Sequence, residues 1–328
     1  MFSNQTILVT GGTGSWGHEL VRQLLKYNPK EIRIFSRNES NQFLMKQKFD
    51  NHPKLQFIIG DIKEKEALIE ACADVQYIFH LAALKHVPVC EDQPIEALKT
   101  NVLGTQNVID AAIQCSARKV VYISTDKASN PSNFYGLTKT MGERLIIHAN
   151  TLNTETKFVC IRGGNVLGTN GSVIHVFKKQ IEEKGKIGIT DLNMTRFFLT
   201  IEEAIKLVFK ATFESTGGEI FVMKMPACRI VDLARVLIEA SNKENVEIEV
   251  LGIRPGEKIH ELLLSEYESL HTISYDDEYF VILPSIHIKG LKEHYSQHKP
   301  VNLVNYNSSQ GLMSKDEIKQ MLQKGGFI

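Results

Sequence analysis

The chain has 328 residues, enough for one large domain or two modest ones around a buried core. Its 38 Lys and Arg balance 38 Asp and Glu, which excludes a bulk nucleic-acid or acidic-membrane binder, and its 43% hydrophobic content excludes disorder. Five scattered cysteines without a CxxC pair support neither a disulfide framework nor a zinc site, so no metal is expected and a reducing cytoplasm is the natural compartment.

In chain order, β-branched runs alternate with amphipathic stretches. Strands are predicted at Thr6–Thr10, Glu31–Phe35, Leu55–Ile59, Tyr77–His80, Lys119–Ser124 and Lys157–Ile161. Helices are predicted near residues 15–27, 39–49, 63–72, 94–115 and 134–150. That alternation implies βαβ crossovers and a parallel sheet. Runs such as Ile7-Leu8-Val9 are apolar on both faces, as a central parallel strand requires.

The second half is less regular. Gly-rich loops fall at Gly163-Gly164, Gly168 to Gly171 and Gly217-Gly218, and a helix is predicted near 173–183. A strand at about 195–199 and a helix at about 201–213 are expected to return to the main sheet. A helix at 231–241, a strand at 246–251 and the loop Arg254-Pro255-Gly256-Glu257 are assigned to a smaller lobe. The tail after Pro284 carries one amphipathic stretch, Lys315 to Gln323, with no role assigned. No apolar run approaches 18 residues and no basic start precedes an apolar core, so neither a transmembrane helix nor a signal peptide is expected.

The first strand runs into Val9-Thr10-Gly11-Gly12-Thr13-Gly14-Ser15-Trp16-Gly17, a GxxGxxG spacing at a strand-to-helix turn. Glycine there allows a tight turn and close approach of a pyrophosphate, and the helix N-terminus offers free N–H groups to it. The second strand ends in Ser36-Arg37-Asn38 rather than an acid. A hydroxyl and a guanidinium suit a 2′-phosphate, so NADP is expected ahead of NAD. Asp61, after the third strand, is read equally as an adenine contact or a helix cap.

Tyr135 and Lys139 form a YxxxK pair at the start of a helical pattern, on one face. A nearby ammonium favours a phenolate, and a phenolate can take a proton from a sugar hydroxyl. Asp126 and Lys127, just after the strand ending Ser124-Thr125, add an acid and a base. Plain epimerisation at C4 needs no such couple, whereas eliminating water does.

These residues resemble the extended short-chain dehydrogenase/reductases. More narrowly, Ser124 to Ala128 followed by Tyr135-Gly136-Leu137-Thr138-Lys139 resembles the UDP-N-acetylglucosamine 4,6-dehydratases. Ala82 to Pro88, Arg162 to Val166, Met194 to Phe197 and Arg254 to Lys258 extend the match over residues 6 to about 262. The chain resembles the short soluble members, without the N-terminal membrane region of the larger ones.

The resemblance implies an α/β fold: a Rossmann doubly wound parallel sheet with helices on both faces, plus a smaller C-terminal α/β substrate-binding lobe. Residues 1–170 form the NADP-binding domain with about 195–215 returning to it, 171–290 the UDP-sugar lobe, and 291–328 the tail. Tyr135 would deprotonate the C4 hydroxyl as NADP takes the hydride, with Thr125 on that oxygen and Lys139 on the nicotinamide ribose. Lys127 would take the C5 proton and Asp126 would protonate the leaving C6 hydroxyl, hydride then returning to C6. Retention at C5 is preferred to inversion. Cofactor contacts are assigned further to Thr10, Gly11, Gly14, Ser15, Trp16, Gly17, Ile62, Ala82, Ala83 and Asn101. Lys85, Arg196 and Arg254 are expected on the UDP diphosphate, with Asn165, Val166, Ser172 and Val173 nearby and Glu257 on the uridine ribose. The expected product is a UDP-4-keto-6-deoxy-N-acetylhexosamine for surface polysaccharide synthesis, made by a homo-oligomer. The alternatives are a UDP-hexose C4 epimerase and, more distantly, a non-catalytic nucleotide sensor.

Overall fold

The computed structural model describes residues 2–152, 155–169 and 171–328. Asn170, inside the Gly168-to-Gly171 loop, lies outside them. Six strands, β1 (Thr6–Thr10), β2 (Glu31–Ser36), β3 (Leu55–Ile59), β4 (Tyr77–His80), β5 (Lys119–Thr125) and β6 (Lys157–Gly163), form within two residues of the predicted bounds. They lie in the order β3-β2-β1-β4-β5-β6 and are all parallel. This is the doubly wound order that opens a crevice between β1 and β4, outside the C-terminal strand ends. Every residue of β1 is buried, and Val120 and Val121 of β5 and Phe158 of β6 are 0% exposed. The sheet's core is therefore dry on both faces.

Beyond β6 the sheet gains Ile220–Met223 in parallel, then Tyr279–Ile282 and Thr272–Ser274 antiparallel. This corrects the expectation for 195–199. That strand, Thr195–Leu199, pairs instead with Asn165–Val166 and Ala227–Arg229 in a separate three-stranded sheet. The place beside β6 is already taken, Ile220 sitting opposite Cys160. The Ile201–Glu214 helix does return. It begins with a Thr200/Glu203 capping box, and its Ile205, Val208 and Phe209 join the main core.

The predicted single helix over 94–115 is broken into Pro94–Leu98, a π turn at Lys99–Leu103, and Gly104–Gln114. The π turn carries Asn101, which is 1% exposed and whose amide joins the chain at Leu84 to Thr138. An inserted residue that re-aims one side chain is the usual use of such a turn.

A second core fills the smaller lobe. Ile174, Phe177 and Ile181 from one helix meet Leu233 and Leu237 from another and Ile318 and Leu322 from the tail helix Lys315–Lys324. Part of the tail thus closes this lobe, and its Tyr306–Asn307 strand pairs with Leu262–Leu264. Among the described residues no helix is long and apolar enough to cross a membrane.

One buried ion network ties the two halves together. Arg162 at the end of β6 is 0% exposed, and its guanidinium meets Glu143 at 2.6 Å and Glu268 at 2.9 Å. Glu143 also accepts from Ser124 Oγ at 2.5 Å, and Glu268 from Ser129 Oγ at 2.9 Å, on either side of the Thr125–Ala128 turn. Burial alone would push the Glu268 carboxyl up, but Arg162 and the Ser265 groups bring it down to about 2. A carboxyl held below its ordinary value contributes stability above that value. The contribution is lost as pH falls from about 4.5 toward 2. Arg162→Met strands two buried carboxylates and is expected to cost about 3–5 kcal/mol, with a flatter acid limb in a plot of Tm against pH.

Candidate active site

A cleft of about 670 Å³ opens at the C-terminal ends of β1, β4 and β5, where the strand order reverses. Its floor is the turn after β1. Gly11 has φ +68°, and a Cβ there would meet the Ala82 backbone at 2.8 Å, so the turn needs glycine on both counts. Gly14 precedes the Ser15–Leu25 helix without any side-chain cap, leaving the first N–H groups open to the cleft. A Cβ on Gly14 would touch only the Gly11 carbonyl, at 3.4 Å. The space over that helix end is thus not filled by protein, which fits a pyrophosphate. Ser15 and Trp16 line the same wall, while Gly17 lies against the Gly12 backbone below it. Thr100, on the π turn, also lines the cleft, and its hydroxyl is buried with no hydrogen-bond partner.

The end of the cleft where adenosine is expected is built by the ends of β2 and β3. Ser36, Arg37, Asp61 and Ile62 all line it, as Ala82 and Ala83 do further along. Ser36 is anchored through its Oγ and carbonyl by Gln42 Nε2, a contact the sequence reading missed. Arg37 is 56% exposed in its side chain, with one loose ion pair to Asp61 at 3.8 Å. Asp61 does not take the helix-cap half of its double reading: its Oδ1 accepts the Lys63 N–H in a turn, and the helix Lys65–Ala71 is preceded by Glu64. Besides Gly17, two expected cofactor contacts are not on the cleft wall. Thr10 is 0% exposed and bonded to His80, and Asn101 is spent on Leu84 and Thr138. Both hold the wall from behind.

The chemistry gathers where β5 ends. The chain turns through Asp126–Ala128, and the helix Phe134–Ala149 begins beside it. A Cβ on Gly136 would lie 2.3 Å from the Lys127 carbonyl, so only glycine lets the helix approach this turn. Thr125 Oγ1 donates to Asp126 Oδ1 at 2.9 Å, and Lys127 Nζ donates to the same oxygen at 3.0 Å. Tyr135 is 8% exposed and lies beside the Thr125 side chain. Thr125, Lys127, Tyr135 and Lys139 line the cleft, with the Asp126 carboxyl buried directly behind.

Glu261 completes this group and was not read from the sequence. It is 2% exposed, and its Oε1 lies 3.2 Å from Lys127 Nζ and 3.6 Å from Arg196 Nε. Its only signal was its position four residues past Glu257 in the Arg254-to-Lys258 loop.

Electrostatics differ from the expectation in one respect. Burial pushes Tyr135 up to about 12, and the cation that opposes this is Lys127. Lys139 turns elsewhere: its Nζ donates to the Ile123 carbonyl at 2.8 Å and sits 3.8 Å from the Tyr122 ring centre. Burial brings Lys139 down to about 7, so it shares its proton near neutrality. Burial also raises Asp126, against the pull of Lys127. Lys127 itself is held above its ordinary value, because Asp126 and Glu261 outweigh its burial.

The opposite wall of the cleft comes from Asn165, Val166, Ser172 and Val173. Ser172 begins the Val173–Lys184 helix, and its hydroxyl is buried without a partner. Lys85 lies on the wall, exposed. Arg196 is 7% exposed and stands behind it, donating to the Thr195 and Ile259 carbonyls, with Glu257 at 3.7 Å. Arg254 is exposed on its loop. The three expected phosphate cations therefore occupy three different settings rather than one cluster.

Comparison with known proteins agrees with this geometry. Residues 7–283 match the family model described as polysaccharide biosynthesis protein. A UDP-N-acetylglucosamine 4,6-dehydratase (inverting) of Campylobacter jejuni is 44% identical over 87% of this chain and 85% of its own. A UDP-glucose 4-epimerase of Rickettsia rickettsii is 39% identical over 98% of this chain and 96% of its own. Pen from Bacillus thuringiensis, a solved structure, superposes with a TM-score of 0.93 at 39% identity, covering 100% of this chain and 99% of that one.

Proposed function

From the premise that the chain belongs to the polysaccharide biosynthesis protein family, within the extended short-chain dehydrogenase/reductases, we propose that it dehydrates UDP-N-acetylglucosamine with NADP. Its relatives support an enzyme acting on a UDP-sugar, as a 4,6-dehydratase or a 4-epimerase. The observation that favours dehydration is the Asp126–Lys127 couple beside Tyr135, 3.0 Å apart, its acid buried and its amine on the cleft wall. An epimerase needs no acid and base for C5 and C6.

The residues around Gly14 and Arg37 would hold the dinucleotide, which when bound supplies a hydride acceptor for C4 and a donor for C6. The chain's own side chains move the protons. Tyr135 takes the C4 hydroxyl proton. The resulting ketone acidifies C5, and Lys127 takes that proton as Asp126 gives its own to the departing C6 oxygen. The couple holds one proton before this step, on Asp126, and one after it, on Lys127. Its net charge is zero throughout, which removes the difficulty of an acid and a base that neutralise each other. The Thr125 hydroxyl donates to Asp126 and its side chain lies beside Tyr135, so the proton taken at C4 is released next to the acid that must be restored for C6.

The Campylobacter relative is named as inverting, which favours inversion at C5 over the retention preferred from sequence. Retention would have Lys127 return the proton to the face it came from. Inversion needs a donor on the other face. The proton spectrum of the product decides between them.

Arg37 carries the cofactor preference. Arg37→Ala removes one charge-assisted contact to a 2′-phosphate, expected to weaken NADP by about 10- to 100-fold and NAD little. Trp16, the one tryptophan of the chain, lines the cleft and reports both affinities by its fluorescence. Equal losses for the two dinucleotides would remove the argument for NADP. Self-association is proposed as well, through the exposed Ile95, Leu103, Leu137 and Met141 on the helices behind the site, and sedimentation tests it.

A further inference from the structure

We propose that Glu261 is a positioning residue of the elimination: its carboxylate holds the Lys127 amine against Asp126 and keeps the couple's proton within the couple. This rests on the dehydratase reading above. The geometry that carries it is specific. Lys127 Nζ is gripped from two sides, by Asp126 Oδ1 at 3.0 Å and Glu261 Oε1 at 3.2 Å. Both carboxylates are at most 2% exposed, and each keeps one oxygen, Asp126 Oδ2 and Glu261 Oε2, buried with no hydrogen-bond partner. Leaving two such oxygens unsatisfied is costly, and sites that do chemistry are where it is tolerated.

Glu261 is itself fixed. Its N–H donates to Ser308 Oγ at 2.9 Å, and its carbonyl accepts the Ser308 N–H at 2.9 Å. Ser308 is 0% exposed and also donates to the Thr195 carbonyl at 3.1 Å. The C-terminal tail thus sets the carboxylate's height opposite the couple. Its charged surroundings come from four elements: Lys127 and Asp126 on the turn, Arg196 on its strand, Lys258 on the loop before it, and Tyr135 beside Lys127. The neighbouring His260 faces Thr195 Oγ1 instead, at 2.9 Å.

The proton balance gives Glu261 its part. Elimination begins with neutral Lys127 and protonated Asp126, and ends with an ammonium and a carboxylate. The C5–H electron pair becomes the C5=C6 double bond, conjugated with the C4 ketone, and the C6 oxygen leaves with its bonding pair and Asp126's proton as water. The Glu261 charge favours the ammonium that forms, and so draws the C5 proton across. It also opposes loss of the couple's proton to solvent at high pH.

The test uses the full chain labelled with ¹³C at lysine Cε, with the Lys127 signal assigned by Lys127→Arg. In the wild type, Lys127 should titrate above an ordinary lysine. In Glu261→Gln, which keeps shape and removes charge, its midpoint should fall by about one pH unit or more, the effect of losing an adjacent opposite charge. Glu261→Asp should lie between. The alkaline limb of kcat should move the same way while KM stays within about twofold, as for an interaction made only in the transition state. If Glu261→Gln leaves both the Lys127 midpoint and the alkaline limb at their wild-type positions, Glu261 is structural and the inference is wrong. A wild-type chain that forms no dehydrated product would remove the reaction itself, and this role with it, a failure told apart by the wild-type assay alone.

Discussion

Lys127→Met forms the dehydrated product about 10²- to 10⁴-fold more slowly than the wild type, the range lost with a general base. The same variant incorporates no solvent deuterium at C5 of recovered substrate. Lys127 is the amine on the cleft wall that is gripped by a buried acid, and it is the cation nearest in effect to Tyr135. Its loss also leaves Asp126 and Glu261 buried without their shared counter-charge. That stranding costs stability, about 3–5 kcal/mol for a broken buried pair, so a lower Tm accompanies the lost activity. Asp126→Asn separates the two effects. It keeps volume and removes only the acid, and it should match the loss of product while the protein melts close to the wild type. Dehydration by either variant at the wild-type rate would show that its residue plays no part in moving these protons.

Tyr135→Phe is the second large effect, also about 10²- to 10⁴-fold in kcat, from loss of the group that takes the C4 proton. Burial holds this phenol up at about 12, with Lys127 working against it. The proton-accepting form therefore grows as pH rises through the neutral range, and wild-type turnover should climb with it. The phenylalanine variant should lose this climb. Because Thr125 lies beside Tyr135 and its hydroxyl donates to Asp126, Thr125→Val should also slow turnover, though less. A Tyr135→Phe enzyme with the wild-type rate and pH profile would exclude the phenol as the base.

Much of this arrangement was legible in the residues. Alternating apolar runs and amphipathic stretches located β1 to β6 because strands buried on both faces must be apolar throughout. The glycine spacing found the tight turn after β1 because close backbone approach leaves no other choice of residue at Gly11. Thr195–Leu199 was placed in the wrong sheet, since a fully buried apolar run looks the same wherever it pairs. The break at Lys99–Leu103 was hidden for a similar reason: one inserted residue barely disturbs helical periodicity. Glu261 stayed invisible because what distinguishes it is a contact between residues 134 positions apart in sequence, Lys127 and Glu261. Lys139 was misread in its electrostatics, because i and i+4 spacing fixes a shared face and not which oxygen the amine reaches.

The most direct measurement is the mass and proton spectrum of the product formed from UDP-N-acetylglucosamine and NADP in deuterated water. The account predicts a UDP-sugar lighter by one water, with a C6 methyl signal, a C4 carbonyl and deuterium at C5. A product of unchanged mass, differing from the substrate only at C4, would contradict it and leave the chain an epimerase.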